Sequence, residues 1–437
     1  MDKARSTRSP PEWRALAVCL LLGHLTLISL LALWRLGALQ ALELLAYDHG
    51  LRWSALTSPD DRIVVIGETE TDLRHWGYPL PDGVLAQALE RLAEGRPRVI
   101  GVDKYRDLPT PPGSASLDQL LRGRQEIIWV TKFGNFTAHD PAIAPPAALA
   151  DTDQTGFSDV LLDEDGQVRR GLLFLDHGQE TATAFALAVV LRYLQAQQIV
   201  PQPDPDHPEL LRLGATTIPP LAANTGSYVG ADAAGYQYLL DYRGRISAIQ
   251  LYTLSDLLQG RLSAAQLTDK IVLLGGIAES LRDEFQIPVR HFLADAPAGD
   301  ASGRIAGVLL HALQVNQLLR FALAGDAPIR GLSDSAETGW LWLWCLIGIG
   351  LALGRRRFRW MLLLMSVALA ALAGVWQLAF LQQLWLPLIA PALGLTITVA
   401  LSGAYLSVQD HADKRVLMAL FARHVAPEVA HALWRER

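Results

Sequence analysis

Cysteine is almost absent from this chain of 437 residues: Cys19 and Cys345 are the two present, and both sit inside long apolar runs. The polar middle of the sequence therefore has no disulfide and must be held by its core alone. That suits a bacterial periplasm better than a eukaryotic cell surface. Charge is missing from particular stretches as well. The runs Thr338–Gly354, Trp360–Leu381 and Trp385–Leu406 contain no Asp, Glu, Lys or Arg, which argues against a transport pathway through them. The net charge is −6, and the basic clusters sit at the ends of apolar runs; no nucleic-acid partner is expected. No G-x-G-x-x-G, P-loop or G-x-S-x-G pattern occurs, and no repeat at solenoid periods.

What the chain does have is hydrophobic sequence at both ends of about 300 ordinary globular residues. A membrane span needs roughly 20 apolar residues to cross about 30 Å of hydrocarbon. Ala15–Leu33, Trp360–Leu381 and Trp385–Leu406 meet that length, and Thr338–Gly354 is marginal. Charge decides the marginal run. Arg355, Arg356, Arg357 and Arg359 follow it, the Gln382–Leu384 connection has no Lys or Arg, and the N-terminal tail carries Lys3, Arg5, Arg8 and Arg14. Positive residues stay on the cytoplasmic side. The expected layout is a cytoplasmic tail at 1–14, spans at 15–35, 338–354, 360–381 and 385–406, an extracytoplasmic domain at 36–337, and a cytoplasmic helical linker at 407–437. A cleaved signal peptide is the other reading of the first run. It is long for that role, and no small-x-small site precedes Trp34 and Arg35, so an uncleaved anchor is expected.

In the middle, Arg62–Gly67, Arg98–Asp103, Glu126–Val130 and Lys270–Gly275 are short continuous apolar runs of the kind that form buried parallel strands. Helices are expected at Leu36–Leu56, at Asp82–Ala93 with Asp82 as N-cap, at Thr183–Gln197, at Leu254–Leu258 and at Ile305–Leu323. Thr71-Asp72 begins another. Asp163-Glu-Asp-Gly166 reads as the turn of a β-hairpin between Phe157–Leu162 and Val168–Leu175. Leu211–Leu213, Thr217–Ile218 and Tyr236–Tyr242 are further strands, and Arg282–Gly303 is loop. The fold class is α/β, a mainly parallel sheet with helices plus a β-hairpin, joined to four transmembrane helices. After the last span, Leu406–His424 continues as a helix, and Pro427 suits the first turn of a new one at Pro427–Trp434.

The segments Asp61-Arg-Ile-Val-Val-Ile-Gly67, Trp76-Gly-Tyr-Pro-Leu-Pro81 and Arg98-Val-Ile-Gly-Val-Asp103 resemble the opening of a CHASE2 domain. Gly156-Phe-Ser158 and Asp163–Arg170 continue the likeness. It is strongest in Leu240-Asp-Tyr-Arg-Gly244, Leu254–Gly260 and Lys270–Gly276, and Asp283–Pro288 with Gly307–Ala312 complete it. No single motif is specific; the ordered set, from about Leu42 to Leu323, is. The resemblance implies an extracytoplasmic sensory module of a bacterial inner-membrane signalling protein, with three spans after the sensor and then a cytoplasmic output. Leu420–Val429 is similar to the segment leading into a class III adenylate or guanylate cyclase, so a homodimer is implied. Two departures stand out: Gly67-Glu-Thr-Glu70 at the first strand, where an Asp-Glu pairing is usual, and Lys104 after Asp103.

Ligands in open α/β sheets bind outside the carboxyl ends of parallel strands. Those ends carry Glu68 and Glu70, Asp103 and Lys104, Thr131 and Lys132, and Gly275-Gly276 with Glu279. The candidate ligand-binding set is Glu68, Asp103, Lys104, Gly275 and Gly276, with Arg243 of the Tyr-Arg-Gly turn added as a cation beside an aromatic ring. The competing bland readings are ion pairing for Asp103 and Lys104, helix capping for Glu68, tight turning for the glycines, and a solvated turn for Arg243. No metal, cofactor or catalytic residue is assigned: Glu68, Glu70, Asp72 and His75 are spaced too close to a helix start to count as a metal site, and Asp163, Asp165 and Gly166 lack the later Glu of a calcium loop. The expected role is a transmembrane receptor for an unknown small extracytoplasmic ligand. Two alternatives stay open, a fragment of a receptor cyclase and a membrane-anchored external enzyme.

Overall fold

The computed structural model describes residues 12–53, 60–134, 141–177, 180–243, 249–289, 303–354 and 358–421. In chain order the helices and strands are α1 (Glu12–Arg35), α2 (Gln40–Trp53), β1 (Ile63–Glu68), α3 (Glu70–Trp76), α4 (Asp82–Glu94), β2 (Val99–Asp103), α5 (Ser114–Gly123), β3 (Ile127–Thr131), β4 (Thr155–Phe157), β5 (Arg170–His177), β6 (Glu180–Thr183) and α6 (Phe185–Leu194). There follow β7 (Pro201–Pro203), β8 (Leu211–Leu213), β9 (Thr216–Ile218), β10 (Tyr236–Leu239), β11 (Gln250–Thr253), α7 (Leu254–Leu258), α8 (Ala264–Leu267), β12 (Ile271–Gly276), β13 (Glu284–Gln286), β14 (Arg304–Ala306), α9 (Gly307–Leu319), α10 (Asp334–Leu353), α11 (Phe358–Leu381) and α12 (Ile389–Phe421). Two compact units divide the chain: one is Met1–Tyr47, Asn224–Gly230 and Gly331–Arg437, the other Asp48–Ala223 and Ala231–Arg330.

The second unit is built on six parallel strands in the order β11-β1-β12-β2-β3-β4. Successive strand residues face opposite sides, yet β1 is buried at all six positions and β12 at five. Both faces are therefore covered, which is why these strands read as unbroken apolar runs. Helices α6 and α9 pack on each other and on the sheet. Gly101 lets them approach, since a Cβ there would lie 2.9 Å from Phe185 and 3.0 Å from Val189 of α6. Smaller sheets, β10-β5-β6, β7-β8-β9 and β13-β14, are antiparallel.

The expected hairpin is not formed as such. Its turn exists: Gly166 N–H donates to the Asp163 carbonyl at φ +76°. Phe157, however, belongs to the parallel sheet, and a lone Leu161–Arg170 bridge joins the two arms. The reason is Arg169. Its side chain is 1% exposed and folds back on the turn, donating to Asp163 (2.8 Å) and Asp165 (2.9 and 2.6 Å), and bidentately to Asp48 (2.7 and 2.9 Å). Asp82 is likewise no N-cap; Pro81 occupies that position and Asp82 is buried against Arg106. Part of the expected loop 282–303 is β13, and the helix expected from Ile305 starts at Gly307, after β14. Helix α5, with Leu117 and Leu121 buried one turn apart, was not anticipated.

In the first unit, α1, α10 and α12 pack together, with α11 beside α10 and α12. Small residues set the spacing: a Cβ on Gly348 would stand 2.9 Å from the Leu395 carbonyl and 3.1 Å from Thr398. Four stretches are long and apolar enough to cross a membrane: Trp13–Arg35, Asp334–Leu353, Phe358–Leu381 and Ile389–Val416. Helix α12 runs 33 residues, or ~50 Å, without a break. Its N-terminus is capped from elsewhere: Glu43 of α2, 1% exposed, accepts from the N–H groups of Leu388 and Ala390, each at 2.9 Å. The expected helix Pro427–Trp434 and the residues Arg355–Arg357 lie outside the described residues.

Replacing Arg169 by Leu leaves three carboxylates without their shared cation. A loss of about 3–5 kcal/mol is expected, read as a lower unfolding midpoint in denaturant for the detergent-solubilised protein.

Candidate functional site

At the carboxyl end of β1 the chain must turn sharply, and Thr69 makes the turn by capping α3. Its hydroxyl accepts from Asp72 N–H (3.2 Å), while Asp72 accepts from Thr69 N–H (2.9 Å). The other Asp72 oxygen takes the Ser255 N–H (3.0 Å) at the start of α7. So fixed, β1 points Glu68 inward, fully buried, where one carboxylate oxygen accepts from Lys104 Nζ at 2.6 Å. Its other oxygen has no hydrogen-bond partner.

The end of β2 supplies Asp103, Lys104, Tyr105 and Arg106. Trp129 of β3 donates from its indole to the Lys104 carbonyl at 2.6 Å and so holds this segment. Arg106 pairs bidentately with Asp82 (2.9 and 2.6 Å), which also accepts from Thr110 N–H (2.9 Å) and the Ser114 hydroxyl. Burial opposes ionisation of Asp82, but the guanidinium and these donors outweigh it and hold its carboxyl below the usual value.

Asp103 is different. In register it lies beside Gly275 of β12, and a Cβ on Gly275 would come within 3.1 Å of the Asp103 Cβ and 2.8 Å of Val308. Gly275 is thus a packing glycine that lets α9 close on the strand ends. That closure brings His311 to 4.0 Å from one Asp103 oxygen; the other oxygen is buried without a hydrogen-bond partner. Asp283 joins them. Its carbonyl accepts from Gly307 N–H (3.0 Å), and its carboxylate lies against Gly307, whose added Cβ would be 2.6 Å from it. Burial pushes the Asp103 carboxyl up to about 7, against the pull of Lys104. Asp283 is exposed as a residue, but desolvation by its neighbours, and then Asp103 itself, push its carboxyl up to about 6. Burial also lowers the His311 pKa, with Asp283 and Gln314 opposing.

These groups line a cavity of about 440 Å³, which Tyr78, Tyr105, Gly276, Leu281 and Phe285 also border. Of the residues singled out in the sequence, Asp103, Lys104 and Gly276 line it, with Glu68 behind Lys104 and Gly275 beneath Asp103. Arg243 is not brought there. It stands near Asp241 (3.8 Å) and Asp326 (3.5 Å), and its carbonyl accepts from Asn316 at 2.9 Å. Glu70 is engaged with Ser280 N–H (2.8 Å), and Glu70, Thr131, Lys132 and Glu279 are not among the lining residues. Among the described residues no group of three His, Cys, Asp or Glu side chains converges to hold a metal ion. Asp283 and His311 were missed as site residues. Each lies in a motif quoted for the family likeness, and only the packing of α9 reveals that they meet Asp103.

A carboxyl whose pKa is raised on folding weakens the fold when it ionises. The stability Asp103 contributes is full below its ordinary value near 4 and is lost as pH rises through about 7. Asp103→Asn is therefore expected to raise the melting temperature at pH 8 and to make little difference at pH 4. His311, with its pKa lowered, acts in the opposite sense below its ordinary value near 6.5. Melting temperatures of both proteins across pH 4–9 check this.

Comparison with known families gives one finding: the model described as the CHASE2 domain matches residues 25–350. No curated protein and no solved structure matches the chain. The match takes in every strand-end residue of the cavity and well over half of the sequence. CHASE2 domains are sensory domains, and this chain belongs to the CHASE2 domain family.

Proposed function

We propose that this protein is a transmembrane signal receptor of a bacterial inner membrane, whose α/β unit lies outside the cytoplasm, binds a small ligand and passes its occupancy to a cytoplasmic output. The observation that carries this reading is the cavity at the carboxyl ends of β2 and β12, where Asp103 keeps a buried oxygen without a hydrogen-bond partner. Soluble packing alone gives no reason to keep such a group, because leaving a buried acceptor unmade costs about 1–3 kcal/mol or more. The four apolar helices and the basic residues near their ends support the placement: the tail arginines and Arg355–Arg359 on one side, Lys414 and Arg415 in the C-terminal part of α12 on that same side.

Transmission would run along α2. Its Asp48 is held in the α/β unit by Arg169, and its Glu43 caps α12 within the helical unit. A shift of α2 on ligand binding would change the grip of Glu43 on α12, the helix that extends toward the output. The resemblance of Leu420–Val429 to a cyclase lead-in favours a class III cyclase as that output, acting as a homodimer.

Both native cysteines are buried, so introduced ones report cleanly. In intact cells, Glu209→Cys is expected to react with a membrane-impermeant maleimide and Lys414→Cys only after permeabilisation. The reverse pattern would sink the receptor reading. Glu43→Leu is expected to cost about 1–2 kcal/mol of thermal stability, the usual range for a lost N-cap, and to abolish any signal-dependent change in the mobility of a spin label at Lys414→Cys.

A further inference from the structure

We propose that the ligand of this cavity is a small organic cation, an amine whose charged nitrogen sits between Asp103 and Asp283. The inference rests on the receptor reading only in taking this cavity as the sensing site.

The charges around the cavity do not balance in the way most buried charges do. Lys104 is committed to Glu68 at 2.6 Å and Arg106 to Asp82 at 2.6 Å. Asp103 and Asp283 have no Lys or Arg ion-pair partner among the described residues. The Asp103 side chain is 10% exposed, and one of its oxygens accepts nothing. His311 faces it at 4.0 Å but is held toward its neutral form by burial. Of the cations lining the cavity, Arg282 is left, and it is an exposed residue. The cavity therefore holds Asp103, nine-tenths buried with an unpartnered oxygen, beside the more exposed Asp283, and neither has a Lys or Arg in ion-pair contact among the described residues. A cation delivered between them would favour the charged form of each.

What is delivered follows from the walls. A metal ion needs more converging ligands than two carboxylates, and no such group exists among the described residues. An anion would meet Asp103 and Asp283 directly, and the first turn of α9 is already faced by the Asp283 carboxylate. An organic cation needs two acceptors and apolar or aromatic surface around its carbon skeleton. Tyr78, Tyr105, Leu281 and Phe285 supply that surface, and aromatic faces attract such cations. The volume of about 440 Å³ suits a ligand of small-molecule size.

Putrescine, 1,4-butanediol and succinate share a four-carbon skeleton and differ in charge, and ethanolamine and tetramethylammonium extend the cationic set. Each would be titrated into the full chain in nanodiscs up to about 10 mM, where a ligand of millimolar affinity is well bound, with melting temperature and calorimetry as readouts. At least one of the cations is expected to give saturable stabilisation, with affinity falling about tenfold or more in Asp103→Asn and in Asp283→Asn and unchanged in Glu209→Gln. Asp103→Asn removes a desolvated charge and should fold; Asp283→Asn is an independent second variant. Binding of succinate that depends on Arg282 would overturn the cation assignment while keeping the cavity as the sensing site. Equal effects of butanediol and putrescine, cation binding indifferent to both Asn variants, or no binding by any cation would also overturn it. The receptor reading stands or falls separately, on the maleimide pattern.

Discussion

A guanidinium taken out of water calls for acceptors around it, and two of the buried arginines of the α/β unit fasten distant segments together in this way. Arg169 gathers Asp48, Asp163 and Asp165, tying the end of α2 and a tight turn to the start of β5. Arg320 does the same at the end of α9, taking both oxygens of Asp241 (2.7 and 2.8 Å) and Asp326 (2.7 Å). Around it Gln317 bonds the Leu239 carbonyl and the Asp241 N–H, at 2.9 and 3.1 Å. These contacts give the Leu240–Gly244 and Asp163–Arg170 motifs a physical meaning. They are fasteners that fix α2 and α9, and with α9 the position of His311. A charge cluster of this kind is poor value for stability compared with apolar packing, so what it provides here is a defined geometry.

Against that background the cavity stands out by what it leaves undone. Elsewhere in the unit buried acids meet cations or backbone donors, as Asp82 and Asp72 do. Asp103 and Asp283 share a site with each other and with His311, whose pKa is lowered by burial. Like charges at close quarters in a poorly solvated setting resist simultaneous ionisation. The Asp103 carboxyl is thus left poorly satisfied, with its ionised form disfavoured.

Much of the frame was legible in the sequence because parallel strands buried on both faces have to be continuous apolar runs. The expected strands at Arg62–Gly67, Arg98–Asp103, Glu126–Val130 and Lys270–Gly275 fall within a residue or so of β1, β2, β3 and β12. The hairpin was misread because alternation around a Gly turn carries no information about Arg169, whose partner Asp48 lies 121 residues away. Asp82 was misread for the same reason: a capping residue and an ion-pair acceptor look alike until Arg106 is placed. Five of the six candidate site residues gather at the strand ends, since topology alone dictates where those ends are. Asp283 and His311 escaped notice because their role arises from α9 crossing the sheet, and Arg243 was drawn in by its chemistry and not by its position.

The capping of α12 by Glu43 constrains the positions this helix can take. Two backbone N–H groups at the head of a 33-residue helix find their acceptor on a different helix, in a place shielded from water. Hydrogen bonds of this sort weaken steeply with misalignment, and a half-made one leaves both donor and carboxylate exposed to the full cost of desolvation. Positions between held and let go are the least favourable ones. On the receptor reading, a ligand whose binding accumulates smoothly with concentration would be read at each single molecule as a latch, and a graded response would exist only in the population.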